Sequence, residues 1–382
     1  MFVSLVGTWI QTVSQSWLVF QLTNSAFLLG VVGFLGAIPV FLLSLFAGVL
    51  ADRANKRNIL IFTQSAFMLL AFLLAVLTHL RLIAPWQIMS IALLNGVVMA
   101  FDAPSRQAVV VELVGKKHLL NAITLNSVAF NASRIIGPAL AGILVALIGM
   151  AGCFYVNGIS FLAMLAALFM IRQAHVPAQA NSNSAFKDLK EGISQVLNNR
   201  LIKGLVMMVA VSSFFGIPYI ILMPIFARDI LHSGIKGLGL LMSANGLGAM
   251  FAGLILARLG DFRYKGRLLI FSSMLFSLAI VLFALSKDYI LSMLILIFIG
   301  GSSVIAISLI NTLLQTIIAD NYRGRVMSVF MFTFAGMMPF GNLLAGSLTQ
   351  AIGADFTLMI NGILCAALFL AITFRFREMF SC

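Results

Sequence analysis

The chain has 382 residues, of which 62% are hydrophobic and 9% charged, with 33 phenylalanines and a mean hydropathy of +1.10. A water-soluble domain of this length has too little interior to hide so much apolar surface, so the solvent must be lipid. The net charge of +13 would suggest nucleic acid in a soluble protein, but its distribution along the chain assigns it to membrane topology and excludes that partner.

Apolar runs of roughly 19–25 residues give twelve predicted spans, at 2–20, 25–50, 58–80, 84–103, 122–147, 151–171, 202–227, 237–258, 267–286, 289–312, 326–350 and 355–374. The first is interrupted by Thr8, Gln11, Thr12 and Gln15 and has no basic segment before it, which argues for a retained helix over a cleaved signal peptide. Thr8, Gln11 and Gln15 follow the i, i+3, i+7 pattern with Ser4 and Thr12 beside them, predicting one polar stripe that faces a water-filled centre. Hydrogen bonding between helices uses the same residue types and is the alternative.

Directly after the second span, "GVLADRANKR" (48–57) concentrates Asp52, Arg53, Lys56 and Arg57 in ten residues. The fourth span ends near Asp102. The fifth carries Arg134 about halfway along, where an ionised group is costly and usually faces a cavity or a partner. At 1.5 Å per residue Asp102 sits a few Å into the membrane and Arg134 roughly 15 Å in, beyond comfortable side-chain reach of each other. Arg134 is therefore expected to face a water-filled cavity, to clamp backbone carbonyls, or to hold an anionic substrate or proton-linked group.

Residues 173–200 are the longest polar stretch, and "QAHVPAQANSNS" has the composition of a linker. It divides the chain into 1–172 and 201–382. Within it Phe186, Leu189, Ile193 and Val196 recur at helical spacing, which predicts a short helix on the membrane surface, with a solvated loop as the alternative. The two parts repeat one plan. "GPALAGILVALIG" from Gly137 and "GNLLAGSLTQAIG" from Gly341 align at an offset of 204, and "NGI" from Asn157 meets "NGI" from Asn361 at the same offset.

With the N-terminus in the cytoplasm, nineteen Lys and Arg fall in loops on that side, Arg106 and Arg325 among them, and four on the other. Both ends are thus expected to be cytoplasmic. Cys153, Cys365 and Cys382 have no metal-ligand spacing, His79, His118, His175 and His232 do not cluster, and no GxxxxGK occurs. An integral-membrane enzyme, a metal or other cofactor, and ATP-driven transport are therefore not indicated.

"GVLADRANKR" resembles the signature between helices 2 and 3 of the major facilitator superfamily, with Gly48, Leu50, Asp52, Arg53 and Arg57 matching, and "GDFRYKGR" (260–267) is a weaker copy in the second half. Asn55 stands where the signature has Gly; Asn tolerates left-handed backbone, so the turn is expected to survive. The resemblance covers essentially the whole chain. It implies an all-α integral membrane protein of twelve transmembrane helices in two six-helix halves, a monomeric secondary carrier that moves a small molecule by alternating access. Gly48 is expected to let helix 2 approach a neighbour closely. Asp52 is expected to meet the N-terminus of helix 11 near Arg325, forming with Arg53 and Arg57 a cytoplasmic latch.

Gly137, Pro138 and Gly142 resemble the helix 5 motif of exporters in this superfamily, and "AFDAPSRQAVVVELV" (100–114) is similar to the subgroup of the enterobactin exporter and related bacterial efflux proteins. The resemblance implies an inner-membrane efflux carrier for a lipophilic or siderophore-like compound, with uptake or lysolipid transport by the same fold as the alternative. By these spans the fourth helix lacks the arginine common in proton-coupled drug exporters. If protons drive transport, Asp102 is the candidate. Relatives usually carry a short, often basic segment before helix 1, whereas Met1 already lies within the span; a misassigned start site and a truncated chain are the two readings of that difference.

Overall fold

The computed structural model describes residues 1–170, 185–260 and 262–376; within helices, some side chains, those of Asp52 and Arg53 among them, also lie outside the described set. Among the described residues all regular structure is helical. The helices are α1 (Phe2–Thr23), α2 (Ala26–Arg53), α3 (Lys56–His79), α4 (Pro85–Met170), α5 (Ala185–Asn198), α6 (Arg200–Val211), α7 (Tyr219–Ile225), α8 (Gly234–Leu259), α9 (Lys265–Leu285), α10 (Tyr289–Ile317), α11 (Asp320–Ile352) and α12 (Ala354–Arg375).

Short polar residues start several of these helices. Ser25 accepts from the Leu28 N–H at the head of α2. Asn55 accepts from the N–H groups of Arg57 and Asn58 at the head of α3, which satisfies two donors that no intrahelical carbonyl can reach. Asn55 has φ −67°, so the expected left-handed turn is replaced by a side-chain cap. The residue is suited to both jobs, and the cap is the one in use.

The run α4 is 86 residues long. Straight, it would measure about 130 Å, several times a bilayer. Two contacts show where it folds back. Gly137 lies against Trp9 and the Val6 carbonyl, and Asn157 bonds Gln11, so points far apart on α4 meet one short stretch of α1. Between them Gly149 has φ +72°, a conformation that glycine enters without steric cost. Its counterpart at the offset of 204, Gly353, has φ +92° and separates α11 from α12.

Among the described residues ten helical segments are long and apolar enough to cross a membrane, and one of them, Thr124–Met170, is 47 residues with Gly149 inside it. Two crossings in that segment and the more polar α1 bring the number to twelve. The chain separates into two compact units, Met1–Ser182 with Ser233–Ser243, and Asn183–His232 with Ala244–Cys382.

In the first unit the helices approach closely at small residues. A Cβ on Gly96 would fall 2.5 Å from the Gly36 carbonyl and 3.0 Å from the Pro39 ring. Gly48, expected to serve this purpose, faces open space: no described atom lies within 4 Å of where its Cβ would stand. The close contact of α2 is made about three turns earlier. In the second unit the seventh crossing is broken into α6, α7 and two π-helical turns, Ser212–Gly216 and Phe226–Ile230, around Pro218 and Pro224. Gly248 packs on the Ile297 carbonyl and Gly300 on that of Asn245.

The linker helix α5 docks on protein. Leu189 and Val196 are buried, a Cβ on Gly192 would meet the Arg325 carbonyl, and Glu191 pairs with Arg325 at 2.9 Å. Ile193 remains exposed, and Phe186 lies outside the described side chains. The apolar stripe expected to lie on the membrane surface is in large part the contact with α11.

Candidate substrate cavity

A cavity of about 440 Å³ opens within the first unit, walled by α1, α2, α3 and α4. The polar stripe of α1 forms one side: Ser4, Thr8, Gln11, Thr12 and Gln15 all line it. Thr8 and Thr12 donate their hydroxyls to the carbonyls of Ser4 and Thr8, at 2.8 and 2.9 Å. This satisfies the donor within the helix and leaves hydroxyl lone pairs to accept from a guest. Gln11 is 8% exposed, and its Oε1 accepts from Asn157 Nδ2 at 2.7 Å. Asn157 is also held by the Ser160 hydroxyl, 3.2 Å from its Oδ1. Gly7 makes room for this cluster, since a Cβ there would lie 2.6 Å from Asn157 Oδ1. Phe67, Phe130 and Phe161 supply apolar wall, with the rings of Phe67 and Phe161 stacked at 5.7 Å.

Among the described side chains of the cavity wall the charge is one ion pair, and the α-amino group of Met1 stands on the same wall. Asp102 is fully buried. Its Oδ1 accepts from Thr63 Oγ1 at 2.9 Å and Gln64 Nε2 at 2.7 Å, and its Oδ2 from Arg106 Nε at 3.0 Å and Nη2 at 2.5 Å. Four donors compensate one buried carboxylate, as its desolvation requires. Arg106, expected in a cytoplasmic loop as a topology charge, stands instead on the fourth crossing. The helix continues past 103, to Val110 as an apolar segment, so this crossing does carry an arginine. The i, i+4 spacing of Asp102 and Arg106 is the sequence signal that marks the pair; it neutralises both charges and lets the helix extend.

The other expected site residues fall elsewhere. Arg134 is half-buried on α4, one turn before Pro138, and is not part of the cavity wall. Asp102 is taken by Thr63, Gln64 and Arg106. Gly137 packs on α1. Pro138 and Gly142 pack on the start of α8, where a Cβ on Gly142 would lie 2.9 Å from Lys236 Cα and one on Gly239 would meet the Pro138 carbonyl. Ser243 donates to the Ile135 carbonyl at 2.6 Å, close to where Pro138 interrupts the helical ladder.

Of the latch residues, Arg57 donates to the carbonyls of Leu168 and Phe169 at 2.7 and 3.2 Å, capping the C-terminal end of α4 where cations are favoured. The Asp52 and Arg53 side chains lie outside the described residues. The helix expected to begin near Arg325 begins at Asp320. Arg325 is thus past the first turn, where it pairs with Glu191 and stacks over Tyr322 at 5.7 Å, and the first turn already holds an acid of its own, Asp320.

Comparison with known proteins agrees with this architecture. A family model described as a transmembrane secretion effector, of major facilitator type, matches residues 1–381. The chain is similar to the staphyloferrin A transporter of Staphylococcus aureus, 28% identical with 95% of this chain and 91% of that protein covered. It is also similar to the enterobactin exporter of Shigella flexneri, 25% identical over 99% of this chain and 91% of the relative. Among solved structures, a D-xylose-proton symporter superposes with a TM-score of 0.78 at 14% identity, covering 97% of this chain and 95% of the other. That likeness shows the twelve-helix fold. The chain is a multi-pass membrane transporter of a small molecule and belongs to the transmembrane secretion effector family of the major facilitator superfamily.

Proposed function

We propose that the protein is an efflux carrier of the bacterial plasma membrane, with both ends cytoplasmic, and that its cargo is a siderophore-like or lipophilic compound. The observation that carries this reading is the 440 Å³ cavity in which hydroxyls and amides of Thr8, Gln11 and Gln15 share the wall with Phe67 and Phe161. Such a wall fits a guest with both polar groups and rings. The two siderophore-related relatives, by name a staphyloferrin A transporter and an enterobactin exporter, support the same class. With Arg106 placed on the fourth crossing, the division of the remaining loop Lys and Arg is eighteen to four, which supports the orientation.

In this reading the monomer rocks two halves, 1–172 and 201–382, about a central site. Asp52, Arg53, Arg57, Arg325 and Gly48 serve a cytoplasmic latch, and Gly137, Pro138 and Gly142 serve the exporter-type helix contact. Arg134 serves the pathway outside the first-unit cavity, and protons couple through Asp102 if a proton gradient drives the cycle.

The test is accumulation in everted membrane vesicles of a panel of lipophilic compounds and catecholate and carboxylate siderophores, with and without an imposed pH gradient, for wild type and Gln11→Ala. Accumulation that falls in the variant, with the variant as abundant as wild type, is expected. Accumulation only in right-side-out vesicles would replace efflux by uptake.

A further inference from the structure

We infer that Arg106 is the substrate-facing member of its ion pair, and that the cavity takes an anionic oxygen group, carboxylate or phenolate, on the guanidinium edge that Asp102 leaves open. This deepens the carrier reading above and rests on it. A guanidinium offers five N–H donors in a rigid plane. Asp102 occupies one edge, since Nε and Nη2 both point at Oδ2, while Thr63 and Gln64 hold Oδ1. The other edge, formed by Nη1 and the second N–H of Nη2, makes no hydrogen bond among the described residues. That edge is a complete two-pronged fork of the kind that binds carboxylates bidentately.

Burial sets the order of the two groups. The Asp102 side chain is 1% exposed and that of Arg106 19%, so the carboxylate stands behind and the guanidinium in front, at the wall of the cavity. Two of the four hydrogen bonds to Asp102 come from neutral groups, and the pair, neutral as a whole, leaves the outer guanidinium edge of Arg106 with donors that Asp102 does not use. Among the side chains lining the cavity Arg106 is the one cation and Asp102 the one anion. The one other charged donor on that wall is the α-amino group of Met1, so a preference for acids that persists without Arg106 would belong to it. The stacked Phe67 and Phe161 rings give a flat apolar surface on the same cavity, so an aromatic or extended organic acid satisfies both features.

The experiment uses the full chain in lipid nanodiscs and calorimetric binding of 2,3-dihydroxybenzoate, citrate and the neutral isostere 2,3-dihydroxybenzamide. The acids are expected to bind wild type about tenfold more tightly than the amide. The preference is expected to vanish in the charge-neutral pair Asp102→Asn with Arg106→Gln, and to persist, weakened, in Arg106→Lys. Thermal unfolding of each variant checks that it is folded, and Arg106→Lys keeps the test decisive if the double variant is not. Equal binding of benzoate and benzamide, a preference retained without Arg106, or no binding of any of the three overturns the inference. Vesicle accumulation is read separately. Transport of neutral compounds with no acid preference overturns the anion site and leaves the carrier; an acid preference in binding with no vesicular accumulation sustains the site and overturns efflux.

Discussion

At the scale of single residues the buried carboxylate of Asp102 is the most exacting group in the first unit, because each of its oxygens is held by two donors. Removing one partner of a buried pair costs about 3–5 kcal/mol, whereas replacing both by neutral groups of the same shape costs far less. Arg106→Gln alone should therefore lower the unfolding temperature in detergent markedly, and adding Asp102→Asn should restore most of the loss. Equal destabilisation by the single and the double change would show that the pair is not compensated as described. The amide bridge between Gln11 and Asn157 has a different fate in the repeat. Asn361, the counterpart of Asn157, is 1% exposed and its Oδ1 has no hydrogen-bond partner among the described residues.

At the scale of elements, helix contacts are set by glycines and by one arginine. Glu191 and Arg325 are both partly exposed, so Glu191→Gln should change stability by no more than about 1 kcal/mol. Gly192→Val, in contrast, forces α5 off the Arg325 carbonyl. Hydrogen exchange of α5 should accelerate strongly in Gly192→Val and little in Glu191→Gln; the reverse order would place the docking energy in the ion pair. The twelve crossings are legible in the sequence because apolar runs and basic loops are strong, redundant signals, and the α1 stripe is legible because it repeats at helical spacing. Side-chain roles within those elements are less so. Counting charges by loop puts Arg106 among the topology residues because such a count ignores the i, i+4 partner that neutralises it. Gly48 and Asn55 are assigned by residue type, and type alone cannot distinguish a close contact from an open surface, or a left-handed turn from a cap.

At the scale of the whole molecule the duplication shows in backbone conformation. Gly149 and Gly353 hold equivalent reversals, yet an added Cβ meets no described atom within 4 Å at Gly149 and lies 2.9 Å from Asp355 Oδ1 at Gly353, where φ +92° and ψ 160° define a region that is nearly exclusive to glycine. Gly149→Ala should cost about 1–2 kcal/mol and Gly353→Ala distinctly more, measured as paired thermal melts. For the proposed latch, Asp52→Asn should shift the population toward inward-open states, and unchanged reactivity of cytoplasmic-side cysteine probes would count against that role. The pairing of Asp102 with Arg106 also bears on how the chain reaches the bilayer. Inserted singly, such a charge costs about 2.5–3.5 kcal/mol at a helix centre and less toward the end of a span, where Asp102 and Arg106 lie. Because the two lie one turn apart on one helix, they can neutralise each other as soon as that turn forms in the translocation machinery. The fourth crossing can then partition into lipid as a neutral segment before the helices that follow it have been synthesised to receive it.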